Sequence, residues 1–291
     1  MEYLPQAIID GLTIGSGYVL VALGFGLIFS VSGVLNVAHA EIYMLGAFGS
    51  ALAISALGGG IALALAVGTL VGAVSGWILQ LSVLRRLKTD QPLAAFIATI
   101  GIGSAITFGV ARIAGIDPRG YPALLDPLSR QIGSVRISDS QLFLWGATAL
   151  LLVGIQLWVG RSQSGREMRA VAESEQVAVT LGIRVSRVKM ITIVVASALA
   201  GITGPLLGQL YGTYQPFMGG PIALGMFVVV LVAGTGSIGG IAVVGVGLGM
   251  IESFTVFFLG SQYQAAAGFL VLIAVVLLRP QGLFGRAVRA G

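Results

Sequence analysis

Between its polar clusters this sequence is apolar for roughly 17 to 25 residues at a time, the length an α-helix needs to cross a hydrocarbon core about 30 Å thick. In lipid the backbone amides must be satisfied internally, so only helices and closed barrels can span. Barrel strands would show short segments of alternating hydrophobicity, and the sequence has none. Only 9% of residues are charged and 56% are hydrophobic, where a soluble domain carries about a quarter charged residues. The expected fold class is therefore an all-α polytopic membrane protein, a bundle of about 8 to 10 transmembrane helices facing the lipid bilayer.

Candidate spans fall at 7–31, 38–57, 61–84, 93–114, 140–160, 190–213, 220–235, 240–258 and 262–278. The segment 220–235 is short and lies between PFMGGP and GTGSIGG, which reads as a broken or re-entrant helix. The opening MEYLPQAIIDG has no basic residue, and no cleavage site in a polar context follows the first run, so that run is expected to be a permanent span. Basic residues cluster at Arg85, Arg86 and Lys88, at Arg161, Arg166, Arg169, Arg184, Arg187 and Lys189, and at Arg279, Arg286 and Arg289. The positive-inside rule places all three clusters in the cytoplasm, and even numbers of spans separate them. Counting back three spans from Arg85 puts the N-terminus, with Glu2 and Asp10, on the outer side. The loop 115–139, whose three Arg are balanced by three Asp, is then external, and the loop 161–189 is cytoplasmic. The chain 1–291 reads as one transmembrane domain, and its net charge of +5 reflects topology rather than nucleic-acid binding.

Several chemistries are excluded by what the sequence lacks. There is no Cys, hence no disulfide and no thiolate metal site. G-x-x-x-x-G-K-[ST] does not occur, so the chain has no P-loop of its own for ATP. Gly234, Gly236 and Gly239 formally match G-x-G-x-x-G, but the flanking runs are span-length and no acidic ribose ligand follows at the required distance. A tight turn between spans is the better account. H-E-x-x-H is absent, and a single histidine, His39, leaves little for a hydrolase; no metal site or nucleophile–base constellation is expected. Gly68, Gly72 and Gly76 share one helix stripe, and so do Gly245 and Gly249, which points to closely packed helix pairs.

Polar residues inside apolar runs are the candidate functional positions. In SGVLNVAHAEIYMLGAF an Asn, the His and a Glu fall within six positions. On a helix Asn36, His39 and Tyr43 share a face while Glu41 points elsewhere. Exposure to lipid is costly, so Asn36 and His39 either line a permeation route or satisfy one another and nearby backbone, and Glu41 fits a structural role at the hairpin turn. Glu252 lies well inside a span that carries no basic residue, so it is protonated, paired with another helix, or wet. Gln209, Tyr211, Tyr214, Gln215 and Pro216 form a polar patch that reads either as an outer mouth or as a headgroup-level aromatic belt. In the basic loop, Glu167 to Leu181 contain strong helix formers and no Gly or Pro, with Gly182 at the C-cap position. One short cytoplasmic helix is expected there, with an apolar stripe through Ala170, Ala178 and Leu181.

The segment GREMRAVAESEQVAVTLGI resembles the cytoplasmic coupling segment of ATP-binding-cassette permeases for branched-chain amino acids, with its G-x-x-x-R-A core and closing Gly-Ile. ALGFGLIFSVSGVLNVAHAEIYMLGAF resembles that family's N-terminal signature, with Ala40 where the family usually has Gly after the His. LVAGTGSIGGIAVVGVGLGMIES and RPQGLFGR resemble its Gly-rich segment and its C-terminal ending, so the likeness runs over nearly the whole chain. The resemblance implies an importer permease fold in a bacterial inner membrane and no covalent chemistry on this chain. It implies a second permease subunit (a paralogue or the same chain), two cytoplasmic ATPase subunits that bind the ATP, and a periplasmic binding protein delivering branched-chain or related aliphatic amino acids. Arg166, Arg169, Ala170, Glu173 and Gly182 are then expected to couple to the ATPase, and Asn36, His39, Glu41, Gln209 and Glu252 to belong to the path or to intramembrane polar contacts. Two alternatives stay open: a permease for urea or short amides, and a proton-coupled secondary transporter using Glu41, His39 or Glu252 as relay.

Overall fold

A computed structural model of the chain describes residues 4–86, 92–125, 129–132, 135–234 and 236–285. Lys88, Arg286 and Arg289 lie outside the described residues. Each apolar run of the sequence has become a helix: α1 (Leu4–Ser32), α2 (His39–Leu57), α3 (Ile61–Ser82), α4 (Pro92–Ala114), α5 (Asp139–Arg161), α8 (Val185–Tyr211), α9 (Gly219–Ala233), α10 (Ile238–Leu259) and α11 (Gln264–Leu278). Among the described residues eight helical stretches are long and apolar enough to cross a bilayer, the last being Ser261–Leu278, a 3-10 turn continued by α11; α9 stands alone as a shorter apolar helix. Its 15 residues reach about 22 Å, less than a hydrocarbon core.

The single helix expected over 167–181 is two helices, α6 (Gln163–Glu173) and α7 (Glu175–Thr180). The reason is Ser174, whose extended backbone ends α6 and whose hydroxyl accepts from the Val177 amide at 3.3 Å to cap α7. The apolar stripe shifts accordingly: Met168, Val171 and Ala178 are buried against the chain's own spans, while Leu181 is exposed. α8 also begins at Val185, earlier than expected, which takes Arg187 and Lys189 out of the loop and into its first turns. The segment 115–139 adds short strands: β1 (Arg119–Gly120) pairs antiparallel with β4 (Thr213–Tyr214), and β2 (Ser129–Ile132) with β3 (Val135–Ser138).

The core is built around α1 and α8, with 78% of the α1 apolar window buried against 6% for the stretch containing α11. A span that other helices surround can be apolar on every side, as α1 is; a peripheral one leaves its apolar face to lipid. Glycine seams bring these helices close. A Cβ on Gly15 of α1 would lie 2.7 Å from the Val246 Cα of α10, and one on Gly68 of α3 would lie 2.7 Å from the Gly201 carbonyl of α8. Pro205 has no N–H to offer Gly201 one turn earlier, and that carbonyl faces Gly46 of α2 as well as Gly68. Three helices therefore meet at Gly201 with no room for a side chain.

The two ends of the bundle are distinct. At one, the Arg136 amide donates to Gln6 at 2.9 Å and β1 joins β4, bringing together the starts of α1 and α5 and the ends of α4 and α8. At the other, the amides of Leu283 and Phe284 donate to the Val232 and Ala233 carbonyls at 2.7 and 3.0 Å, folding the chain after α11 onto the end of α9. Gly234 lies in this turn with φ of 83°, its Cβ position filled by the Gly285 and Gln281 backbone. The formal dinucleotide motif is thus a packed turn. Arg161, Arg166, Arg169 and Arg184 lie at this second, basic end, where α6 packs on α1, α5 and α8.

Candidate functional site

The end that holds the N-terminus opens into the bundle. A cavity of about 600 Å³ there is walled by Ile14 and Tyr18 of α1, Tyr43 of α2, Leu207 and Tyr211 of α8, and Gln215 and Met218 before α9. A second cavity of about 370 Å³ lies between α9, α10 and α11 and shares Tyr18, Pro221 and Gln264 with the first. Both are mainly apolar spaces with a few polar groups, the usual character of a small-molecule site.

The polar group at the partition is Glu252. It is 4% exposed, and its Oε2 accepts from the Tyr18 hydroxyl at 2.7 Å and from Gln264 Nε2 at 2.9 Å. The contact joins α1, α10 and α11 across 234 residues of chain. Glu252 is thus paired with neutral donors from other helices, one of the conditions its sequence position demanded. Tyr18 and Gln264 were not singled out in the sequence. A tyrosine at the midpoint of a span, away from either headgroup level, was the signal for the first; Gln264 opens a span and carried none.

The rim is held in place by a separate aromatic group. Tyr214 packs edge-on against Phe48 and Tyr121, with ring centroids 4.8 and 5.9 Å away. The Tyr121 and Ser50 hydroxyls lie 2.8 Å apart, and burial pushes the Tyr121 phenol above its ordinary range. Gln209 does not face the cavities: its Oε1 accepts from the Leu124 amide at 2.8 Å, anchoring the 121–125 segment to α8. Of the polar patch foreseen around it, Tyr211, Tyr214 and Gln215 line the larger cavity.

Glu41 meets the start of α9, where a Cβ on Gly219 would come 2.8 Å from its Oε2. The positive end of a helix is favourable ground for a carboxylate. Asn36 and His39 lie deeper, toward the basic end. Helix α2 starts at His39, so Asn36 sits in the crossing from α1 and not on the helix face with it. Thr99 of α4 holds that crossing, donating to the Leu35 carbonyl at 3.2 Å and accepting from the Val37 amide at 3.3 Å. Asn36 and His39 are wholly buried, and none of their four side-chain polar atoms is hydrogen-bonded; His39 faces the Val21 backbone without the geometry for a bond. A Cβ on Gly24 would come 2.6 Å from His39 Nε2, so only glycine lets the ring in.

Residues 7–279 match the family described as branched-chain amino acid transport system / permease component. The chain belongs to that family. It is 31% identical to the high-affinity branched-chain amino acid transport system permease protein LivH of Salmonella typhimurium, over 98% of this chain and 96% of that protein. It is likewise 31% identical to BraD of Pseudomonas aeruginosa, over 98% and 96%. A more distant likeness, 29% identity over 72% of this chain and 54% of the other, is to the permease protein LivM of Salmonella typhimurium. Among solved structures, a chain of PsaBC from Streptococcus pneumoniae in complex with Fab shares the fold, with a TM-score of 0.51 at 13% identity, over 97% of this chain and 93% of that one. This member of the family is an integral-membrane permease component of a transport system, built as an all-α polytopic bundle.

At the basic end the permease presents an exposed surface. Arg166, Arg169 and Glu173 of α6 are exposed and Ala170 is half-buried, while Val177, Val179 and Leu181 are more than half exposed around α7. Gly182 closes α7 with φ of 79°. Three polar contacts connect this surface to the spans: Arg166 and Arg169 donate to the Arg161 and Val159 carbonyls at the end of α5, the first at 3.1 Å, and Lys189 of α8 pairs with Glu175 of α7 at 2.8 Å.

Proposed function

We propose that this chain forms the membrane path of an ATP-driven importer for branched-chain or related aliphatic amino acids, working with a second permease chain, separate ATPase subunits that bind the ATP, and a binding protein. The observation that carries the reading is the asymmetry of the bundle: cavities of about 600 and 370 Å³ at the N-terminal end, one of only about 100 Å³ between α1 and α6 at the basic end, and an exposed two-helix surface beyond it. By the positive-inside rule the basic end is cytoplasmic and the N-terminus is outside, so the cavities face the compartment from which a binding protein would deliver substrate. Likeness to permeases whose names specify branched-chain amino acid transport supports the substrate class.

In this reading the ATPase docks on α6 and α7, with Arg166, Arg169, Ala170, Glu173 and Gly182 at or beside the contact. Closure of the ATPase pair pushes α7, and the Lys189 to Glu175 ion pair carries the push into α8, whose far end holds Leu207 and Tyr211 in the cavity wall. The permease would then alternate between an outward cavity and an inward one. The test has two parts: mass spectrometry of what accompanies the tagged chain out of native membranes in mild detergent, and leucine uptake by proteoliposomes holding that assembly. A P-loop ATPase in the assembly with ATP-dependent uptake is the expected result. A chain that emerges alone and accumulates substrate under a pH gradient would replace this reading with a secondary transporter.

A further inference from the structure

Among the described residues Glu252 is the only Asp, Glu, Lys or Arg that is buried, and it forms no ion pair. Both of its hydrogen bonds arrive on one oxygen, Oε2, from neutral donors. Oε1 receives neither. It lies beside Gly268 of α11, where a Cβ would come within 3.3 Å of it. The cavity of about 370 Å³ that Glu252 lines is otherwise walled largely by apolar side chains, among them Leu224, Val228 and Phe269. A carboxylate taken out of water is costly without a counter-charge, and no side chain provides one here. Tyr18 and Gln264 fix the carboxylate through one oxygen and leave the other directed at a space suited to a short aliphatic group.

We infer that Oε1 of Glu252 binds the α-ammonium of an aliphatic amino acid whose side chain occupies the apolar part of this cavity. The inference rests on the proposed function and names the group within it that recognises the substrate. The ligand brings the positive charge that the site lacks, and the buried ion pair forms only when the cavity is filled. Gly268 is the position that admits it: any larger residue would stand against the free oxygen. Ser261 and Gln262, which also line this cavity just before α11, offer polar groups for the carboxylate end of the ligand.

The test is calorimetric binding to the detergent-purified assembly, using L-leucine, 3-methylbutylamine (ammonium without carboxylate) and 4-methylpentanoate (carboxylate without ammonium). Wild type should bind the first two and not the third. Glu252→Gln keeps an oxygen to accept from Tyr18 and Gln264 but loses the charge, and should weaken leucine and the amine roughly ten- to a hundredfold. Gly268→Ala keeps the charge and covers Oε1; it should weaken both by about tenfold at an unchanged melting temperature, and it carries the comparison alone if Glu252→Gln is not monodisperse. Affinity within about twofold of wild type in the tested variants, no binding of the amine by wild type, or 4-methylpentanoate bound as tightly as the amine would overturn the site. Leucine uptake separates the two claims. Uptake with variants of unchanged affinity removes the site and leaves the transport reading, whereas Glu252-dependent amine binding without uptake of any branched-chain amino acid does the reverse.

Discussion

At the N-terminal end of the bundle Glu252 receives two hydrogen bonds and fronts a cavity, whereas toward the basic end Asn36 and His39 are wholly buried with no hydrogen bond to either side chain. Gln80 Oε1 of α3 and Ser197 Oγ of α8 share that unpaired state. An unpaired buried polar atom costs about 1–3 kcal/mol, so a closed half containing several of them is poorly matched to its own burial. This half packs through glycine contacts, as at Gly24, Gly72 and Gly76, and leaves these polar groups unpaired. The unpaired state is not confined to that half: Glu41 Oε2 and Trp145 Nε1 are also buried without a hydrogen-bond partner.

The largest effect is expected at the seam that joins the halves. Gly201→Val would drive a side chain into the Gly68 and Gly72 backbone, and we expect a loss of about 3 kcal/mol or more, seen as loss of membrane-inserted, monodisperse protein in size-exclusion chromatography. Asn36→Leu addresses the closed half directly. Removing an unsatisfied polar group at similar volume should raise the melting temperature, by about 1–2 kcal/mol in stability, and should slow uptake if Asn36 lines the path. Unchanged uptake in that variant would take Asn36 out of the path.

Tyr18→Phe sharpens the other side: losing one donor to Glu252 should lower stability by about 1 kcal/mol in a thermal melt and leave Gln264 as the remaining partner. The smallest stability effect is expected for Lys189→Ala, less than about 1 kcal/mol because the ion pair is partly solvated. Its functional effect should be large by contrast, with ATP hydrolysis retained and uptake lost. Uptake at the wild-type rate would mean that α7 does not push on α8 through this pair.

The span positions, the basic clusters and the glycine stripes were legible in the sequence because hydropathy over twenty residues and small-residue spacing are local properties that a bilayer reads directly. Family membership was legible for the same reason, since its motifs lie in continuous stretches. The division of 167–181 was missed because a favourable run of helix formers concealed Ser174 as a cap, and a serine within such a run is ambiguous until the chain direction changes. Helix periodicity separated Glu41 from His39 and Tyr43, but it wrongly put Asn36 on the same helix and could not show that Glu41 meets the first residue of α9.

Hydropathy and charge alone marked which segments are apolar enough to enter a membrane, which end is basic, and that Glu252 needed a partner or water inside a span. Only the tertiary structure decided that the partners are Tyr18 and Gln264, on helices distant and near in the chain, and that Gln209 anchors a loop instead of facing the cavity. The physical reason is that burial in lipid acts on each helix separately, whereas a hydrogen bond requires two groups within about 3 Å, and that distance is set by how glycine-lined helices pack.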